Sequence, residues 1–339
     1  MNLAYWRRAF LALIWVVSCT NAWAASVGFQ EQTTLDERGA PIKLAIWYPS
    51  SSQSHTVSLG WTTQEVAMNG AMSEGRHPLI VISHGTGGTY FSHHDTATAL
   101  ARAGFIAAAV MHPGDNAQDQ SRRFFILERP GHIRRALDYL LQDWPGHAQV
   151  DAGRIGIFGF SAGGFTALVS IGGQPDMARI IPFCNERPDH FACQLIAQES
   201  IAGRAANAPM PEQAQVQVQV QDNRIKAAVI AAPALGFTFA NRLQQATIPV
   251  QLWRAEDDRI LPHPWYAEEV RRALPQAPQY HLVSHAGHFD FLAPCAPVMA
   301  QRLPDICSSA SGFDRSAFHR AFNEEIVTFF QRALAVEGR

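Results

Sequence analysis

Short apolar runs rich in β-branched and aromatic residues recur along the chain at 43–48, 79–83, 105–111, 154–158, 227–231, 249–253 and 280–283. Between them stand stretches whose apolar positions follow helical spacing, at 96–103, 130–141, 165–171, 265–274 and 318–334. Strand and helix in alternation predict βαβ units. Several of the strand runs are apolar at consecutive positions, the pattern of parallel strands covered on both faces. The pattern therefore predicts a mostly parallel, doubly wound sheet. Residues 27–35 and 43–48 predict an opening antiparallel hairpin. Gly104 stands where the first helix should stop.

Residues 174–222 break the alternation. They hold two cysteines and a Gln/Val repeat, and they read as an insertion after the fourth strand and the helix that follows it. Ligands of such folds sit at the carboxyl ends of the strands, so an insertion there predicts a lid over the site. A surface elaboration without catalytic part is the alternative. Val216, Val218 and Val220 alternate with glutamines as in a half-buried strand, or as one polar face of a helix.

The charges nearly cancel, 27 basic against 29 acidic residues, and Lys and Arg form no stripe, which excludes the electrostatic footprint of a nucleic-acid binder. The expected partner is a small molecule. At the N-terminus, Arg7 and Arg8 precede the apolar run 9–17, which is too short to span a bilayer, and Ala22-Trp23-Ala24 follows. Residues 1–24 thus read as a secretory leader, leaving residues 25–339 as a mature periplasmic or secreted catalytic domain without a transmembrane segment. Val16-Val17-Ser18-Cys19 also has the form of a bacterial lipobox, and retention of Cys19 would give a lipid-tethered protein instead. Without Cys19, an even set remains in an oxidising compartment. Short-loop pairing of Cys184 with Cys193 and of Cys295 with Cys307 is the expectation among three connectivities.

The strand at 154–158 runs into Gly159-Phe160-Ser161-Ala162-Gly163 and then into a helical pattern. This is the G-x-S-x-G elbow in its confirming context: a serine at a sharp strand-to-helix turn, with its hydroxyl exposed for nucleophilic attack. Ala162 would open the helix, where unsatisfied N–H donors favour an oxyanion. Upstream, the strand at 79–83 is followed by His84-Gly85-Thr86-Gly87-Gly88, an H-G-x-G-like loop. Its second oxyanion donor is assigned to Thr86, with Gly87 as the alternative, and His84 reads as a structural residue beneath the loop.

A base is needed on the loop after the last strand, and Ser284-His285-Ala286-Gly287-His288 offers two histidines there. Position selects His288. The His285/His288 spacing lacks any companion carboxylate or cysteine cluster, so no metal site is expected. After the strand at 249–253 come three carboxylates in a row, Glu256, Asp257 and Asp258. Asp258 occupies the acid's place in the G-x-x-D-x-x-V-P pattern common in the α/β-hydrolase fold, with Ala255 for the glycine and Leu261 for the valine. The order Ser161, Asp258, His288 is that of α/β-hydrolases.

With these residues in place, the mature chain resembles the dienelactone hydrolases and, more distantly, the platelet-activating-factor acetylhydrolases. Ile46-Trp47-Tyr48-Pro49, the stretch 78–85, His112-Pro113-Gly114-Asp115-Asn116 and Arg224-Ile225-Lys226-Ala227 are similar to that family as well. Dienelactone hydrolases use a cysteine nucleophile where this chain has serine, so dienelactone is not carried over as a substrate. The resemblance implies an α/β-hydrolase fold and hydrolysis of a small-molecule carboxylic ester without a cofactor. Amide or peptide cleavage by the same triad, and an inactive binding module on the same fold, are the rival readings. Phe160, Leu235, Phe237 and Phe289, with Phe291, are expected to line a compact acyl pocket for short-chain esters.

Overall fold

The computed structural model describes residues 26–201 and 221–335. The leader, Cys19 and the Gln/Val repeat up to Val220 lie outside the described residues. Ten strands form one sheet: β1 (Ser26–Leu35), β2 (Pro41–Ser50), β3 (His55–Leu59), β4 (Thr62–Met68), β5 (His77–Ser83), β6 (Ile106–Met111), β7 (Val150–Phe160), β8 (Ile225–Ala231), β9 (Val250–Ala255) and β10 (Gln279–Val283). Their spatial order is β10-β9-β8-β7-β5-β6-β2-β1-β4-β3. From β6 to β10 every pairing is parallel, while β1 and β2 form the opening antiparallel hairpin with Ser26 opposite Ser50. The helices are α1 (His94–Arg102), α2 (Arg129–Gln142), α3 (Ala162–Ser170), α4 (Ile180–Glu186), α5 (Phe191–Ile201), α6 (Ala267–Ala273), α7 (Pro297–Arg302), α8 (Pro304–Cys307) and α9 (Arg315–Ala333).

The consecutive apolar residues of β5 show why such runs read as two-faced strands. Leu79 and Val81 enter a core shared with Ile133 and Leu137 of α2 and with Phe165 and Leu168 of α3, whereas Ile80 and Ile82 enter the opposite core with Leu100 of α1 and Phe330 of α9. Side chains of a strand alternate, so both layers of helices need an apolar partner from the same run. Gly104 closes α1 with φ +95°.

The sequence pattern missed the β3–β4 hairpin. Four of the five residues of β3 keep some exposure and only Leu59 is buried, so its apolar signal is weak. Helix α3 also begins three residues earlier than its apolar run suggests, because Gly163 and Gly164 carry no side chain to mark the helical face.

Both disulfides pair locally, Cys184–Cys193 and Cys295–Cys307. Each closes a loop of 9 or 12 residues. Constraint of the unfolded chain by loops of this length stabilises by about 3 kcal/mol each in the chain-entropy account. The first disulfide ties α4 to α5 in the segment between α3 and β8. Together with Phe183, Phe237, Leu261 and Tyr266, Cys193 forms a third small core beside the carboxyl ends of β8 and β9. Among the described residues no helix is long and apolar enough to cross a membrane.

Candidate active site

Four loops meet at the carboxyl ends of β5, β7, β9 and β10. Ser161 follows β7 directly and has φ 54°, ψ −117°, a conformation an L-residue holds only under constraint. The constraint is backbone hydrogen bonding on both sides. Its N–H donates to the Ala231 carbonyl at 3.0 Å, and its own carbonyl accepts from Phe165 and Ala234 at 3.1 and 2.9 Å. The strain, of order 1–3 kcal/mol, is thus carried by the junction of β7, α3 and the segment after β8. Glycine is required on either side of the serine. A Cβ on Gly159 would run into the Gly163 carbonyl, and one on Gly163 would run into the Ser83 carbonyl of β5.

The Ser161 hydroxyl lies 3.1 Å from His288 Nε2, and His288 Nδ1 lies 2.8 Å from an Asp258 carboxylate oxygen. In the tautomer with the proton on Nδ1, Ser161 donates to Nε2 and Nδ1–H donates to Asp258. The other Asp258 oxygen accepts the backbone N–H groups of Ile260 and Leu261 at 3.0 and 2.7 Å. Burial works to raise the Asp258 carboxyl, but the facing imidazole and these two amides hold it below its ordinary value. The neighbouring Glu256 and Asp257 are exposed. His285, also exposed, turns away with φ 60°, its amide donating to Glu256. Among the described residues no group of three or more His, Cys, Asp or Glu side chains is gathered as a metal site.

The loop after β5 lies against Ser161: a Cβ built on Gly85 would sit 3.3 Å from that of the serine. Gly88 N–H closes the turn onto the Gly85 carbonyl at 3.1 Å, and Gly87 N–H donates to Asp115 at 2.9 Å. The Gly87 amide is therefore occupied. The Thr86 amide makes no hydrogen bond among the described residues, and Thr86 is exposed. Ala162 opens α3, and its N–H has no intrahelical acceptor.

Of the residues expected to line a pocket, Leu235 and Phe289 stay half-buried. Phe160 is 2 % exposed with its ring 4.9 Å from that of His288, and Phe237 stacks on Phe183 at 3.8 Å. Phe160 thus packs behind the imidazole, and Phe237 fastens α4 beside the site. Phe291 is wholly buried in the core that α9 covers.

Sequence reasoning missed one support and found only His84 of a second. The first braces the loop of His288. The Asp290 carboxylate accepts from Gly287 N–H at 2.7 Å, from Arg315 at 2.9 Å and from Ser309 at 2.5 Å, while its carbonyl accepts from His319 at 2.8 Å. A single Asp two residues past the histidine carries no local signal of this, since its partners come from α9 and the loop before it. The second lies under the β5 loop, where His84, His112 and His132 surround Arg129.

These histidines are kept neutral. Burial and the Arg129 charge push His84 and His112 well below their ordinary value, and the same causes lower His132 to about 4. Burial, aided by His319 and His94 and opposed by Asp95, takes His93, in the opposite core, to about 3. In the unfolded chain each would titrate near 6.5. Between the two values the unfolded state binds the extra protons, so the stability from these groups is complete above pH ~6.5 and declines as the pH falls, by up to about 1.4 kcal/mol per pH unit for each. The urea midpoint is expected to drop steeply from pH 7.5 to 4.5. A midpoint constant down to pH 5 would contradict neutral burial.

The family model described as "Dienelactone hydrolase family" matches residues 66–257, over half of the chain. The match includes Ser161 and ends one residue before Asp258. No curated protein matches the sequence. A solved structure of a ferulic acid esterase from Streptomyces cinnamoneus superposes with a TM-score of 0.60 at 18% identity, covering 92% of this chain and 91% of that one. At that identity the likeness speaks for the fold, which is the α/β-hydrolase fold.

Proposed function

The chain belongs to the dienelactone hydrolase family, and from that premise we propose that it is an exported serine esterase acting on small, short-chain carboxylic esters. The observation that carries this reading is the unbroken line from the Ser161 hydroxyl through His288 to Asp258, at 3.1 and 2.8 Å.

In this reading His288 Nε2 takes the proton of Ser161 as its oxygen attacks the ester carbonyl, and Asp258 holds the Nδ1–H tautomer and stabilises the imidazolium. The N–H groups of Ala162 and Thr86 receive the oxyanion, a contribution of about 3–4 kcal/mol per donor in comparable sites. Collapse of the tetrahedral intermediate expels the alcohol with the proton from His288, leaving Ser161 acylated. A water molecule deprotonated by His288 then releases the acid.

The preference for short acyl groups is supported by what stands around Ser161. Leu235 follows Ala234, whose N–H donates to the Ser161 carbonyl, Phe289 adjoins His288, both are half-buried, and α4, tied to α5 by Cys184–Cys193, packs through Phe183 onto Phe237 and Trp265. Export is supported by the two disulfides, which persist in oxidising compartments, together with the leader-like N-terminus.

The test is a fluorophosphonate probe with a p-nitrophenyl ester series from acetate to palmitate. Stoichiometric labelling of the Ser161 peptide is expected, with kcat/KM highest at or below octanoate. Absence of labelling would overturn the serine mechanism, and a rise beyond octanoate would overturn the compact pocket.

A further inference from the structure

Arg129, the first residue of α2, is 2 % exposed, and so is Asp115 in the turn after β6. One guanidinium nitrogen of Arg129 donates to the His84 carbonyl at 2.5 Å, and another faces Asp115 at 3.8 Å. The carboxylate oxygen of Asp115 on the far side accepts Gly87 N–H at 2.9 Å. The pair therefore grips the β5 loop at both ends. Among the described residues, Arg129 Nε and Nη1 and the second Asp115 oxygen have no hydrogen-bond partner.

As a contributor to stability this arrangement is poor. Burial lowers Arg129 to about 10 and raises Asp115, and the opposite charge offsets only part of each. Buried pairs with unfilled hydrogen bonds are commonly matched or bettered by apolar residues of similar volume. What an apolar pair would lose is the geometry of the loop. With Gly87 N–H committed to Asp115 and the His84 carbonyl to Arg129, the peptide between Gly85 and Thr86 is held against Ser161 with its N–H unspent.

We infer that Arg129 and Asp115 are positioning residues for the oxyanion donor: they draw the Gly87 amide back from the nucleophile and fix the loop so that Thr86 N–H is presented to the acyl oxygen. The inference rests on the serine-esterase reading above. It assigns the pair no contact with substrate. Its effect is confined to states in which an oxyanion exists, because a preorganised donor acts on charge that develops in the transition state.

The experiment compares wild type with Asp115→Ala, Asp115→Asn and Arg129→Lys. The readouts are kcat and KM for p-nitrophenyl acetate, the fluorophosphonate labelling rate, and the affinity of a trifluoromethyl ketone, whose hemiketal oxygen occupies the oxyanion position. Asp115→Ala is expected to lower kcat, labelling rate and ketone affinity together, by roughly 10²-fold, with KM little changed. Asp115→Asn, which keeps an acceptor for Gly87 N–H, is expected to recover most of the loss. If Asp115→Ala does not fold, Arg129→Lys carries the test: its single ammonium retains charge but cannot face Asp115 and the His84 carbonyl with two separate nitrogens, and roughly a 10-fold fall in labelling is expected. A folded Asp115→Ala, or in its place Arg129→Lys, with wild-type labelling rate and ketone affinity would overturn the positioning role alone. A wild-type protein that does not label at Ser161 would overturn this role and the esterase reading together.

Discussion

Ser161→Ala is expected to abolish fluorophosphonate labelling and to lower kcat by on the order of 10⁶, the loss seen when the nucleophile of a comparable triad is removed. The fold should be unaffected. The strained backbone at this position is held by the amide and carbonyl bonds to Ala231, Phe165 and Ala234, none of which involves the hydroxyl. Alanine at φ 54° inherits the same strain and the same constraints. Thermal melting should therefore coincide with wild type while turnover is lost. Labelling that persists in the variant would place the nucleophile elsewhere.

Asp258→Asn is expected to lower kcat by about 10⁴, and Asp257→Asn to leave it unchanged. The contrast follows from where the two adjacent side chains go. Asp258 is buried, with one oxygen on His288 Nδ1 and the other on the amides of Ile260 and Leu261. An asparagine that kept those two amide bonds through its carbonyl would turn its NH₂ toward Nδ1, forcing the proton onto Nε2, where it can no longer accept from Ser161. Asp257 is exposed and meets the site only through its backbone N–H on the Ala286 carbonyl, which substitution preserves. Steady-state kinetics of the two variants, with Tm as a control, decide the matter. A large loss in Asp257→Asn with a small one in Asp258→Asn would move the acid by one residue.

A family match that stops at residue 257 covers the elbow but neither Asp258 nor His288. The second half of the site is defined by geometry within this chain. That geometry is overdetermined: the loop of His288 is held by Asp290, Arg315, Ser309 and His319, and the loop beside Ser161 by Arg129 and Asp115. Both supports use buried charges, which fixes loops more rigidly than apolar contact because each hydrogen bond is directional and its loss leaves a costly unpaired group.

Much of the molecule was legible in the residues alone because its causes are local. A strand buried on both faces must be apolar at successive positions, so Leu79, Ile80, Val81 and Ile82 announce a central strand. A serine on a strand-to-helix elbow needs glycine at both flanks, so the elbow is visible as a motif. Cysteines nine and twelve residues apart close short loops, so local pairing could be anticipated. The β3–β4 hairpin and the short helices α4, α7 and α8 could not, since half-exposed or brief elements leave no sustained period, and the 11 residues of α5 escaped because FACQLIAQESI has no one-sided apolar stripe. Position in the motif already singled out Asp258 from the carboxylate triplet and Thr86 from the loop, but which charges are buried together, and which residues brace the two loops, were decided only by the tertiary structure. Ser161 and His288 are 127 positions apart, and Thr96 and Asn323 are 227. Contacts at such separation depend on strand order, and strand order is set by how whole helices and sheet faces bury one another, a property that no window of sequence contains.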